Sequence, residues 1–122
     1  MNEQHRIFES YLEEQIAASK RRGALLTADG RPDEGNFEKI RANIYEIFKT
    51  ILSVSEKVHE KDDSAKKDFF LQKTGLIPKD WADSYEKARQ HGDDKKMHIE
   101  RIKLDTAREI KDTYLKIWEE TA

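Results

Sequence analysis

Apolar residues along this chain recur at intervals of three and four positions, which is the spacing of one helix face. No stretch alternates apolar and polar residues over six positions, so the pattern favours no β-strand. Only two prolines and five glycines occur, mostly where one periodic segment gives way to the next. The sequence therefore predicts an all-α protein.

The first predicted helix extends from about Glu3 to Ala28, with its apolar residues on one half of the helical wheel. The turn sequence Asp-Gly-Arg-Pro at positions 29–32 ends it. Gly23 lies on the apolar half, where a glycine costs about 1 kcal/mol relative to alanine. It therefore indicates either close packing against a neighbouring helix or an early helix end.

The second segment carries the strongest periodic signal, with seven apolar residues on one seam over 22 positions. The seam residues are Phe37, Ile40, Ile44, Ile47, Ile51, Val54 and Val58. We expect this seam to be the buried centre of the fold, with Asn36 as the helix N-cap.

A second stripe of Tyr45, Phe48 and Leu52 runs beside the seam. A helix with two apolar stripes must be covered on two sides. The stripe is therefore predicted to be either part of the core or the face of a homodimer.

The region 64–91 is predicted to form a shorter fourth arm of the bundle, with a break between two helical parts. Its first part ends near Lys73, Gly75 suits a position after a helix C-terminus, and Pro78 suits the first position of a new helix. Gly92 ends the arm, and Asp93 or Asp94 caps a last helix over about 94–120.

Short connections favour antiparallel neighbours, so the predicted architecture is an up-down four-helix bundle with three long helices and the broken arm. The alternative is a three-helix core with 64–91 packed across it. At 122 residues, the chain is predicted to form a single domain over 1–122.

The amino-acid composition mainly excludes other classes of protein. The chain has no cysteine, a net charge of −2 and 39% charged residues. Its longest apolar runs are three residues, against about 20 for a membrane span, and no signal peptide is apparent. We therefore predict a cytoplasmic protein without a membrane partner.

Candidate metal chemistry is weak, and no cofactor is predicted. A di-iron bundle needs two Glu-x-x-His motifs, but only Glu56-Lys57-Val58-His59 is present, and the seam would turn Glu56 toward solvent. A zinc or manganese site would need His59, His91 and His98 to meet. Ordinary surface histidines, His5 included, are the favoured interpretation.

The basic clusters are Lys20-Arg21-Arg22, Lys66-Lys67 and Lys95-Lys96, each close to compensating acids. Nucleic-acid binding would require them on one face and is not favoured. The favoured hypothesis is a non-enzymatic bundle that acts through protein–protein contacts, as a homo-oligomer or with another protein. The alternatives are metal or small-ligand binding through the three histidines and weak nucleic-acid binding.

Overall fold

The computed structural model describes residues 1–121 and contains four α-helices. They are α1, Glu3–Ala28; α2, Pro32–Val58; α3, Asp63–Gln90; and α4, Asp94–Thr121. Each connection is only three or four residues long, so successive helices run antiparallel. The predicted all-α four-helix bundle is confirmed, and the observed bounds of α1 are the predicted ones.

The chain reverses on glycine after α1 and again after α3. Gly30 and Gly92 adopt φ angles of 75° and 66°, a region that strongly favours glycine. In both turns, the residue after the glycine donates its N–H to a carbonyl five positions back, at 2.9 Å. This Schellman geometry satisfies the last carbonyls of each helix and redirects the chain.

Polar side chains cap three of the four helix N-termini. Asn2, Asp62 and Asp93 each accept a hydrogen bond from the N–H three positions on, at 2.7, 3.0 and 3.1 Å. The fourth helix, α2, instead begins with Pro32 at its first position, where the fixed φ of proline suits a helix start. The predicted Asn36 cap is therefore wrong, because α2 already begins at Pro32 and Asn36 lies inside it.

The four helices pack as two close pairs, α1 with α2 and α3 with α4, while α2 also meets α4 across the bundle. The backbones of α1 and α2 approach closely where two glycines face each other. A Cβ built on Gly23 would lie 3.1 Å from the Gly35 carbonyl oxygen, and one built on Gly35 would lie 2.8 Å from the Gly23 carbonyl oxygen. Close packing thus explains Gly23, and α1 continues past it.

The predicted break within 64–91 is wrong. Helix α3 is continuous over 28 residues, as long as α4, with Gly75 and Pro78 inside it. An internal proline forfeits one backbone hydrogen bond and costs about 3 kcal/mol. Packing of both halves of α3 onto the bundle, through Phe70 in the first half and Ala88 in the second, compensates that local cost.

The isoleucine-rich seam of α2 is not the buried centre of the fold. Ile44 is buried, but Ile47, Val54 and Val58 are 39%, 40% and 57% exposed. The stripe beside the seam lies in the core instead. Its two aromatic rings and its leucine pack against buried side chains of the other three helices, and burying aromatic rings removes a large apolar area from water.

We expect alanine substitutions at two glycines to have opposite effects on stability, because one glycine lies at the close helix contact and the other at an open position. Gly35→Ala should lower the free energy of unfolding by about 1–2 kcal/mol, because its methyl group meets the Gly23 backbone and the Thr27 hydroxyl. Gly75→Ala meets nothing within 4 Å and should raise stability by up to about 1 kcal/mol. Urea unfolding measures both, and equal effects would contradict the close contact.

Candidate functional site

The predicted interface residues Tyr45, Phe48 and Leu52 lie inside the chain's own core, with 0–1% of their surface exposed. They pack in one cluster with residues of the other three helices, among them Leu12 and Phe70. A second copy cannot reach side chains buried in this way. The homodimer-face assignment of these three residues is therefore corrected, and they form part of the core.

An exposed apolar surface lies one stripe away from these residues, between α2 and α3. We call it the apolar strip and define it by Ile47, Ile51, Val54 and Val58 of α2 with Phe69 and Ile77 of α3. Part of it forms a shallow groove of about 260 Å³ that Thr50 and Lys73 also line. Apolar side chains exposed together on one surface make it a candidate for a protein contact.

The bundle also holds one buried polar cluster, to which each helix contributes one side chain. His5 comes from α1, Glu56 from α2, Lys66 from α3 and Tyr114 from α4. The His5 Nδ1 lies 2.7 Å from the Glu56 Oε1, and the His5 Nε2 lies 2.7 Å from the Tyr114 hydroxyl. The Lys66 Nζ lies 2.8 Å from the other carboxylate oxygen of Glu56.

The partners of His5 determine which of its ring nitrogens carries the hydrogen in the neutral ring. An ionised carboxylate only accepts hydrogen bonds, so the His5 Nδ1 carries a hydrogen and donates a hydrogen bond to Glu56. In the neutral ring, Nε2 then accepts a hydrogen bond from the Tyr114 hydroxyl. The three side chains form a directional chain of hydrogen bonds, from Tyr114 through His5 to Glu56.

Burial and pairing shift the pKa of every member of the cluster. Burial lowers the pKa of His5 below 6.5, although Glu56 partly opposes the shift. Burial alone would raise the pKa of Glu56, but hydrogen bonds from Lys66 and His5 outweigh it and hold this pKa below its ordinary value. The hydrogen bond to Glu56 raises the pKa of Lys66, and burial raises that of Tyr114.

The cluster therefore combines an ion pair, a neutral imidazole and a neutral phenol at neutral pH. His5 and Tyr114 are 0% exposed, so a substrate cannot touch either while the bundle is closed. Aromatic rings enclose them, with Trp118 5.9 Å and Phe70 6.5 Å from the His5 ring centre. This arrangement joins four helices at one end of the bundle and makes their packing sensitive to protonation.

Sequence reasoning missed this cluster because its hydrogen bonds span 51 and 109 positions. The predicted surface position of His5 is wrong, and Glu56, predicted to face solvent, is 16% exposed. One usable signal was present: with Phe8 and Leu12, His5 follows the same spacing of three and four positions along the buried face of α1.

The three candidate metal ligands do not come together. His59 precedes α3 and His91 follows it, so the length of that helix, about 42 Å at 1.5 Å per residue, separates them. His98 lies in α4 with its ring 4.5 Å from the ring of Phe37. The joint site is therefore wrong, and no group of metal-ligating side chains occurs within residues 1–121.

The basic clusters also lie apart. Lys66 and Lys67 lie near the start of α3, whereas Lys95 and Lys96 lie near the start of the antiparallel α4, at the other end of the bundle. In the third cluster, Lys20 pairs with Glu46 at 3.0 Å. Within residues 1–121, the three clusters therefore do not all come together on one face. None of the helices in the described part of the chain could cross a membrane.

Comparison with known proteins finds no matching family model, no similar curated protein and no similar solved structure. Function must therefore be argued from the apolar strip and the buried polar cluster themselves.

Removing one partner of the buried ion pair should destabilise the bundle more than removing both charges. Glu56→Gln keeps an acceptor for His5 but leaves Lys66 with only Asp63, at 3.5 Å. We expect it to lower the free energy of unfolding by about 1.5–3 kcal/mol, the range for hydrogen bonds to charged groups. Adding Lys66→Met should recover part of this loss. A double variant less stable than Glu56→Gln would contradict the ion pair.

Acidification should weaken the fold through His5. Unfolding returns its pKa to about 6.5, above the folded value, so the unfolded chain binds the proton first. Stability should therefore be complete above about pH 7 and fall as the pH decreases through 6.5 toward the folded pKa, by at most about 1.4 kcal/mol per pH unit. Urea unfolding should show a smaller slope for His5→Asn, and equal slopes would exclude His5 as the titrating group.

Proposed function

We propose that this chain acts through protein–protein contacts rather than by catalysis, and that it self-associates by packing its apolar strip against the strip of a second copy. The observation that carries the proposal is the exposure of Ile47, Val54 and Val58 on one face of α2. A cytoplasmic location belongs to the same proposal and rests on the sequence alone.

The spacing of the strip supports a helix as its partner. Its α2 residues recur every three or four positions, which is the pattern of helices that pack side by side with interlocking side chains. On α3, Phe69 and Ile77 extend the same surface. A second copy presents a helix surface of the same length and pattern, and such self-complementary pairing is the commonest form of homodimer.

The charges beside the strip favour an antiparallel arrangement. Lys73 lines the groove, and the spacing of 3.6 residues per turn places Asp80 on the same side of α3, two turns further on. A two-fold axis near Thr50 and Ile77 would bring Lys73 of one copy to Asp80 of the other. A parallel pairing would oppose like charges instead.

Val54→Glu should reduce self-association, because it places a charge in the centre of the strip. The matched control is Leu25→Glu, which introduces the same charge at an apolar residue that is 65% exposed on α1. Light scattering over a range of concentrations should report a dimer for the natural chain and the control, and a folded monomer for Val54→Glu. A natural chain that stays monomeric at about 1 mM, a weak affinity, would contradict the proposal.

Charge exchange tests the antiparallel geometry separately. Lys73→Asp and Asp80→Lys should each weaken the dimer, since each opposes like charges in the pair. The double variant restores opposite charges and should recover the affinity. If neither single variant changes the affinity of the dimer, the antiparallel orientation is contradicted, although the strip can still be the contact.

A further inference from the structure

A second surface groove, on the opposite side of α3, has a different chemistry from the apolar strip. It lies between α3 and α4 and has a volume of about 750 Å³, within the range of about 300–1,000 Å³ that is usual for small-molecule sites. Phe48 of α2 forms part of its lining and is 1% exposed. The groove therefore reaches the core rather than lying on the surface alone.

Small side chains on the facing helices create this groove. Gly75 and Ala82 of α3 line it with Ala107 of α4, and a Cβ added to Gly75 would meet no atom within 4 Å. Pro78 and Leu104 supply further apolar lining. The lining of α3 extends from residue 74 to residue 82, which corresponds to about 12 Å along the helix. An extended alkyl chain of similar length can lie along this apolar lining.

The rim of the groove carries more positive than negative charge. Arg108 and Lys111 of α4 line it together with one acid, Asp112. Within residues 1–121, neither Arg108 nor Lys111 makes an ion pair. Arg108 offers a planar set of donors that matches a carboxylate in two hydrogen bonds. The polar end of a ligand held here would be an anion.

We propose that the groove between α3 and α4 binds a single-chain aliphatic carboxylate. The alkyl chain lies along Pro78, Ala82 and Leu104, and the carboxylate pairs with Arg108 and Lys111 at the rim. This site lies on the face of α3 away from the apolar strip, so it does not depend on the proposed self-association.

Isothermal titration calorimetry of the full chain with decanoate tests this proposal. Decyltrimethylammonium, which has an alkyl chain of the same length and the opposite charge, is the control ligand. Decanoate should bind one equivalent per chain, and NMR shifts should concentrate at Thr74, Ala82 and Leu115. The cationic amphiphile should bind at least about tenfold more weakly. Equal binding of both probes, or no binding of decanoate at about 1 mM, would overturn the proposal.

Two variants test the two parts of the site. Gly75→Leu fills the apolar channel at an open position, keeps the helix and should abolish decanoate binding; circular dichroism verifies its fold. The double charge reversal Arg108→Glu with Lys111→Glu should weaken binding about tenfold or more.

The matched control for the charge reversal is Lys95→Glu with Lys96→Glu. This pair changes the net charge equally at exposed positions in the first turn of α4, far from the groove. Decanoate affinity should be unchanged in the control. Undiminished binding in a folded Gly75→Leu variant, or an equal loss in the control and in the reversal at the rim, would overturn the site.

Discussion

The orientation of α2 about its own axis is the constraint on which the rest of this bundle depends. Its inward face carries Tyr45, Phe48 and Leu52, each at most 1% exposed. These residues pack in one core cluster with side chains from α1, α3 and α4. The same orientation leaves part of the isoleucine-rich seam exposed at the side of the bundle. The composition of the core and the exposure of the apolar strip thus both follow from the rotation of α2 about its axis.

Polar contacts between the helices, the buried polar cluster among them, add specificity to this apolar packing. A hydrogen bond from the Tyr45 hydroxyl to Glu109, at 2.9 Å, fixes α2 against α4. At the end where α1 begins, His5 lies between Glu56 and Tyr114 and requires α1, α2 and α4 to keep one register. An apolar face alone would tolerate a sliding of one helix past another, whereas a displaced partner here would leave a buried polar group without a hydrogen bond.

Local sequence signals predicted much of this fold, whereas contacts between residues far apart in the sequence determined the rest. The bounds of α1, the glycine turn at Gly92 and the four-helix class follow from spacing and turn chemistry. The break at Gly75 and Pro78 was wrong because tertiary packing outweighed local helix propensity. Periodicity identified both apolar stripes of α2, but the choice of the inward stripe depends on which side chains fit the facing helices. The His5 cluster depends on partners more than 50 positions away, which no local pattern contains.

The most direct test of this account compares alanine truncations on the two stripes of α2. Unfolding should be measured at a protein concentration at which light scattering reports a monomer. Leu52→Ala should lower the free energy of unfolding by about 2–5 kcal/mol, as for a buried leucine, whereas Val54→Ala should change it by less than about 1 kcal/mol. A loss for Val54→Ala as large as that for Leu52→Ala would contradict the inward orientation of Tyr45, Phe48 and Leu52.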